Sequence, residues 1–142
     1  MTTVRQLLNE KGRDVFAVTP EDTVLDAVKL LAEKNIGVVL VVEADKPIGI
    51  LSERDYTRNI ILKGKSSANT SVKDIMQSRL LCVTEEKSVE ECMALMTDKH
   101  IRHLPVVEGE RVIGMVSIGD LVKSIISAQK HIIEQLETYI KA

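Results

Sequence analysis

Between Val24 and Lys34 the apolar residues Val24, Leu25, Ala27, Val28, Leu31 and Ala32 recur at helical spacing, with Leu30 beside them. Val38 to Val42 is instead an unbroken apolar run. The first pattern predicts a helix and the second a strand buried on both faces. Asn35 and Gly37 stand between them as helix breakers. Ala44-Asp45 predicts a turn, Pro47 to Leu51 a partner strand, and Ser52 the start of a second helix reaching Leu62. Upstream, Thr3 to Leu8 reads as a short helical turn and Phe16 to Val18 as an edge strand. Thr19-Pro20-Glu21-Asp22 is turn chemistry, because proline fixes φ just before the helix begins.

The pattern then repeats. At an offset of 65 residues, Thr19 meets Thr84, Val24 meets Val89, Gly49 meets Gly114, Ser52 meets Ser117 and Asp55 meets Asp120. The offset holds without insertion from Val18/Val83 to Ile61/Ile126. The opening turn matches Ser71 to Met76 at 68 residues, so the three extra residues fall in the Asn9–Asp14 loop. The second copy therefore predicts a strand at Leu80–Val83, a helix at Val89–Lys99, strands at Leu104–Glu108 and Val112–Ser117, and a helix at Asp120–Ser127. Each copy is β-α-β-β-α, an α/β (α+β) arrangement.

A repeat of about 60 residues buries too little surface to be stable alone, and two that share a core overcome this. The expected organisation is one module with pseudo-two-fold symmetry: repeat 1 over residues 1–62, a linker over 63–70, repeat 2 over 71–127, and a C-terminal helix over 128–142. In the tail, Ile132, Ile133, Leu136, Tyr139 and Ile140 form one stripe, suited either to the module's own core or to a dimer contact.

Composition narrows the function. A net charge of −2 and the absence of tryptophan argue against nucleic acid, which wants a basic surface and stacking platforms. Cys82 and Cys92 lie in apolar contexts and give no disulfide framework, which fits a reducing cytoplasm. The N-terminal residues lack the apolar core of a signal peptide, and no apolar run is long enough to span a bilayer. Three histidines and two apolar cysteines supply neither a catalytic constellation nor a metal site, so the chain reads as non-enzymatic.

Two motifs carry candidate chemistry. Ser52-x-x-Asp55 and Ser117-x-x-Asp120 follow a glycine and stand where a strand turns into a helix. Such a pattern is a capping box. It can equally present a carboxylate to the hydroxyls of a cis-diol, with the glycine leaving room for a ligand or another backbone. His100-Ile101-Arg102-His103-Leu104-Pro105 places a guanidinium and an imidazole at the mouth of a strand, both able to meet phosphate. Their counterparts Gly37 and Val38 carry no charge, so two clefts built from these copies cannot bind anions identically.

Twice over and in the same order, Gly-x-x-Ser-x-x-Asp and the string Ile101 to Val107 resemble the cystathionine β-synthase (CBS) domain, here as the tandem pair called a Bateman module. The resemblance implies a regulatory sensor binding AMP, ADP, ATP or NAD in clefts between the repeats. The alternatives it leaves are an S-adenosylmethionine sensor and an interaction module with vestigial pockets. It implies that Asp55 and Asp120 take ribose hydroxyls, that Ser52 and Ser117 contact ribose or phosphate, and that Thr19 and Thr84 line the pockets. Arg102 and His103 would face phosphate, Gly37 would mark the uncharged counterpart, and Arg54 would add positive charge. It further implies a homodimer, with a separate effector protein as the output.

Overall fold

The computed structural model describes residues 2–141. Met1 and Ala142, the outer limits of the expected first repeat and tail, lie outside the described residues. The elements run α1 (Val4–Lys11), β1 (Ala17–Val18), α2 (Val24–Lys34), β2 (Val38–Glu43), β3 (Lys46–Ser52) and α3 (Glu53–Tyr56), the last continuing as a π-helical turn over Thr57–Ile61. After 3₁₀ turns at Ser67–Asn69 and Val72–Asp74 come α4 (Val89–Lys99), β4 (His103–Glu108), β5 (Arg111–Ser117) and α5 (Ile118–Lys141). The chain forms two compact units: Met1–Arg13 with Cys82–Val106 and Gly114–Ala142, and Asp14–Leu81 with Val107–Ile113.

In the unit built on the first repeat, β1 pairs parallel with β2 and β2 pairs antiparallel with β3. Ala44 and Asp45 close the β2–β3 hairpin with φ of 52° and 64°, the left-handed geometry that matches strand twist in a two-residue turn. Val39, Leu40 and Val41 are buried along β2. Val39 and Val41 join Val24, Ala27 and Leu31 of α2 in one apolar cluster, as the helical and continuous patterns require. Thr23 caps α2 and Asn35 ends it in the left-handed conformation. Ser88 and His100 do the same for α4 at the 65-residue offset.

Three expectations are corrected. Leu80–Val83 does not become a strand; it keeps one parallel bridge, Val83 to Val106. The reason is Pro105. In the first repeat the Leu40 N–H donates to the Phe16 carbonyl at 3.1 Å and holds the β1 edge. Pro105 stands at Leu40's position and has no N–H to offer, so only the bond from Val83 N–H to the Pro105 carbonyl, 3.0 Å, survives. The helix from Ser52 keeps α geometry only to Tyr56 before its turns widen. The tail is not a separate helix, because α5 runs unbroken from Ile118 through Lys141.

The two short opening segments are exchanged between the repeats. Thr3, capping α1, bridges to Ser88 at the start of α4, and Val4 N–H donates to the Lys87 carbonyl at 2.8 Å. Reciprocally, Ser71 bridges to Thr23 at the start of α2, and Val72 N–H donates to the Asp22 carbonyl at 2.8 Å. Each exchanged segment drives a side chain onto a glycine of the receiving sheet. A Cβ on Gly114 would sit 2.8 Å from Leu8 Cδ1, and one on Gly49 would sit 2.5 Å from Met76 Sδ and 3.1 Å from the Gln77 carbonyl oxygen. The glycines of both motifs therefore make room for the chain itself.

This packing predicts a non-additive pair. Gly114→Ala alone should destabilise by about 1–3 kcal/mol through overpacking against Leu8. In a Leu8→Ala background, already weakened by its cavity, the same change should cost much less. Equilibrium urea unfolding of the single and double variants measures this, and strict additivity would contradict the contact.

Candidate functional site

Both Ser-x-x-Asp motifs fold as capping boxes, for a local reason. The strand ends at a serine whose hydroxyl accepts the N–H of the aspartate three residues on, at 3.1 Å in each repeat. The aspartate's Oδ2 in turn accepts the serine N–H, at 2.8 Å for Ser52–Asp55 and 2.9 Å for Ser117–Asp120. The helix start is docked on the residue before the first strand of the hairpin: Glu53 N–H donates to the Gly37 carbonyl at 3.0 Å, and Ile118 N–H to the Arg102 carbonyl at 2.9 Å.

Beyond the cap the two sites diverge. Asp55 is buried, and its Oδ2 also accepts the Ser52 hydroxyl at 2.9 Å. Its Oδ1 accepts Gln77 Nε2 at 2.9 Å, so both oxygens are occupied by protein donors. The Gln77 backbone meanwhile exchanges two 2.9 Å hydrogen bonds with Ile50, closing the outer edge of β3. In the other unit Lys11 stands in that role. Its Nζ donates to the Met115 carbonyl at 2.8 Å and to Asp120 Oδ2 at 2.6 Å. Asp120 Oδ1 takes no hydrogen bond among the described residues, and the side chain keeps 24% exposure.

Asp120 thus sits in a charged setting that Asp55 lacks. Burial raises its carboxyl pKa, but the Lys11 and Ser117 hydrogen bonds and the Lys11 charge outweigh this and leave it below the ordinary value. His103 is half-buried, and burial pushes its imidazole below the usual range. Asp120 opposes that shift, while the positive charges of Lys11 and Arg102 deepen it. Lys11, Arg102, His103 and Asp120 therefore share one electrostatic neighbourhood. It holds two cationic side chains, an imidazole whose protonation burial disfavours, and a carboxylate with one free oxygen.

Of the residues singled out from the sequence, the structure joins Ser52 to Asp55 with Gly37 at the helix start, and Ser117 to Asp120 with Arg102 and His103. Thr19 and Thr84 are exposed and bond to neither aspartate; the Thr19 N–H is held by Asp22 Oδ2 at 2.8 Å. Arg54 is exposed and makes no ion pair among the described residues. Lys11 and Gln77 are the participants that sequence reasoning missed. Each follows an opening segment that only the tertiary exchange brings to its aspartate, so neither had a local signal in the sequence.

The comparisons with known proteins accord with this architecture. The family model for the CBS domain matches residues 4–62 and again 72–127. The chain belongs to the CBS domain family. It is a CBS pair, a regulatory type of module. The mitochondrial CBS domain-containing protein CBSX3 of Arabidopsis thaliana is 41% identical over 149 residues, spanning 99% of this chain and 72% of that protein. A CBS-domain protein of Burkholderia ambifaria named for signal transduction superposes with a TM-score of 0.84 at 50% identity, covering 90% of this chain and 96% of that one. A CBS-domain protein of Agrobacterium tumefaciens gives 0.79 at 36% identity, covering 86% and 92%. Among the described residues no helix is long and apolar enough to cross a membrane.

The depressed His103 pKa carries a pH prediction. The unfolded chain takes up this proton near pH ~6.5, whereas the folded chain resists it until lower pH. Stability should therefore fall as pH drops through the histidine range, and His103→Gln should flatten that fall. Asp120, whose pKa is also depressed, should contribute stability at neutral pH and lose it only below its unfolded value of ~3.9. Urea unfolding at a series of pH values checks both, and an unchanged slope between pH 7 and 5 in His103→Gln would contradict the first.

Proposed function

We propose that this CBS pair is a non-catalytic sensor that binds an adenine nucleotide at the Asp120 group of the second repeat, and that its bound state is read by a separate effector protein. The observation supporting this is the free Oδ1 of a partly exposed, ionised Asp120 beside Lys11, Arg102 and His103. A carboxylate oxygen without a protein donor accepts ribose hydroxyls. The guanidinium of Arg102 offers a planar fork to phosphate, and Lys11 a point charge. The surplus of positive charge favours AMP, ADP, ATP or NAD over S-adenosylmethionine, whose sulfonium it would repel.

The Asp55 group is the weaker site in this reading. Gln77 already supplies what a ribose hydroxyl would, and it brings no charge for phosphate. The asymmetry expected from Gly37-Val38 against Arg102-His103 is thereby deepened by a second pair, Gln77 against Lys11.

Calorimetric titration with adenosine, AMP, NAD and S-adenosylmethionine tests the reading. AMP should bind more tightly than adenosine, added salt should narrow the gap, and Arg102→Ala should remove most of it. Asp120→Ala should lose about 1.5–3 kcal/mol of binding, the scale of hydrogen bonds to a charged group. Asp55→Ala should leave that affinity unchanged while lowering the stability of the ligand-free protein. Equal affinity for adenosine and AMP, or binding indifferent to Asp120→Ala, would contradict the assignment.

A further inference from the structure

The ion pair of Lys11 and Asp120 leaves two bonding positions unfilled, one an acceptor and the other a donor. Asp120 Oδ2 accepts the Ser117 N–H at 2.9 Å and Lys11 Nζ at 2.6 Å, while Oδ1 takes no hydrogen bond among the described residues. A lysine ammonium has three hydrogens to donate. One goes to Asp120 Oδ2 and one to the Met115 carbonyl at 2.8 Å, and the third finds no acceptor among the described residues. Two short bonds hold the ammonium in one orientation, so its third hydrogen is aimed and does not turn freely. The Lys11 side chain is 34% exposed and that of Asp120 24%, so a ligand can reach both.

The first repeat shows that the open oxygen stands where a donor fits. Asp55 Oδ2 accepts the Ser52 N–H at 2.8 Å, as Asp120 Oδ2 accepts that of Ser117. Asp55 Oδ1 then accepts the Gln77 side-chain amide at 2.9 Å. The oxygen that the protein fills in one unit is the oxygen left open in the other.

We propose that Lys11 is a specificity-determining residue of the Asp120 site. With Asp120 Oδ1 it recognises one ribose hydroxyl as donor and acceptor together, so that a sugar lacking this hydroxyl is rejected. The proposal rests on the reading of the Asp120 group as a nucleotide site. A hydroxyl donates its hydrogen to the carboxylate and accepts the ammonium's third hydrogen on a lone pair. An ionised phosphate oxygen accepts from Lys11 but has no hydrogen for Oδ1, and the carboxylate repels it. An amide N–H donates to Oδ1 but offers Lys11 no lone pair. The two cations of the site thereby take separate tasks: Arg102 contacts phosphate, and Lys11 contacts the sugar, acting on phosphate through its charge alone.

Calorimetric titration of the full chain at pH 8, where Asp120 stays ionised, tests this with AMP, 2′-deoxy-AMP and 3′-deoxy-AMP. In wild type one of the deoxy nucleotides should bind roughly 10- to 100-fold more weakly than AMP, the scale of hydrogen bonds to charged groups. Lys11→Met, which keeps the side chain's length and removes its donors, should lower that ratio about tenfold, and Lys11→Ala should do the same. A purely structural loss would weaken all three nucleotides alike and leave the ratio where it was. Arg102→Ala should weaken AMP and both deoxy nucleotides together without moving the ratio. If Lys11 merely neutralised Asp120, its removal would make the carboxylate a stronger acceptor and raise the ratio. A ratio that is unchanged or raised in both Lys11 variants would therefore overturn the proposal, as would equal binding of the three nucleotides by wild type. Where AMP binding still depends on Asp120, those results leave the nucleotide site standing. Wild type that binds no AMP would overturn both.

Discussion

The close approach of a side chain to a glycine, made once in each unit, is the constraint on which the rest of the structure depends. Leu8 lies against Gly114 and Met76 against Gly49, each delivered by a segment from the start of the opposite repeat. A β-carbon at either glycine would collide with the arriving side chain. Because the segment is seated there, its following residues fall beside the aspartate that caps the next helix. The covering of the sheet and the chemistry of the candidate site are thus one arrangement.

That arrangement makes the two copies of the motif chemically unequal. At Asp55 the arriving segment is extended, so the Gln77 backbone pairs with Ile50 and its amide reaches Oδ1. At Asp120 the arriving segment is the helix α1, whose backbone groups are engaged within the helix. The Met115 carbonyl is met by a long side chain instead, and Lys11 brings a charge with it. A neutral amide and an ammonium so occupy equivalent places. Arg102 and His103 add to the charged side, while Gly37 and Val38 add nothing to the other.

Most of the fold was legible in the sequence because its signals are local. Helical spacing over Val24–Lys34, the apolar run of β2 and the serine that ends each hairpin all appear where the residues place them. The missing strand at Leu80–Val83 was not legible, since it depends on whether Pro105 turns its nitrogen and carbonyl to that edge or to β5. The motif glycines were read as space for a ligand or another backbone, and the side chains that fill the space come from distant segments. Lys11 was hidden for the same reason. It is 109 residues from Asp120, and only the tertiary exchange brings them together. The tail stripe was visible, but its continuity with the preceding helix was not, because Ala128, Gln129 and Lys130 are compatible with a helix and with a break in its apolar face.

The central claim is that the duplication yields one open nucleotide site per chain, not two. Native mass spectrometry of the protein with saturating AMP measures this directly. The account predicts a single AMP retained per chain, lost on Asp120→Ala and kept on Asp55→Ala. Two molecules of AMP per chain, or one that disappears with Asp55→Ala and not with Asp120→Ala, would contradict it.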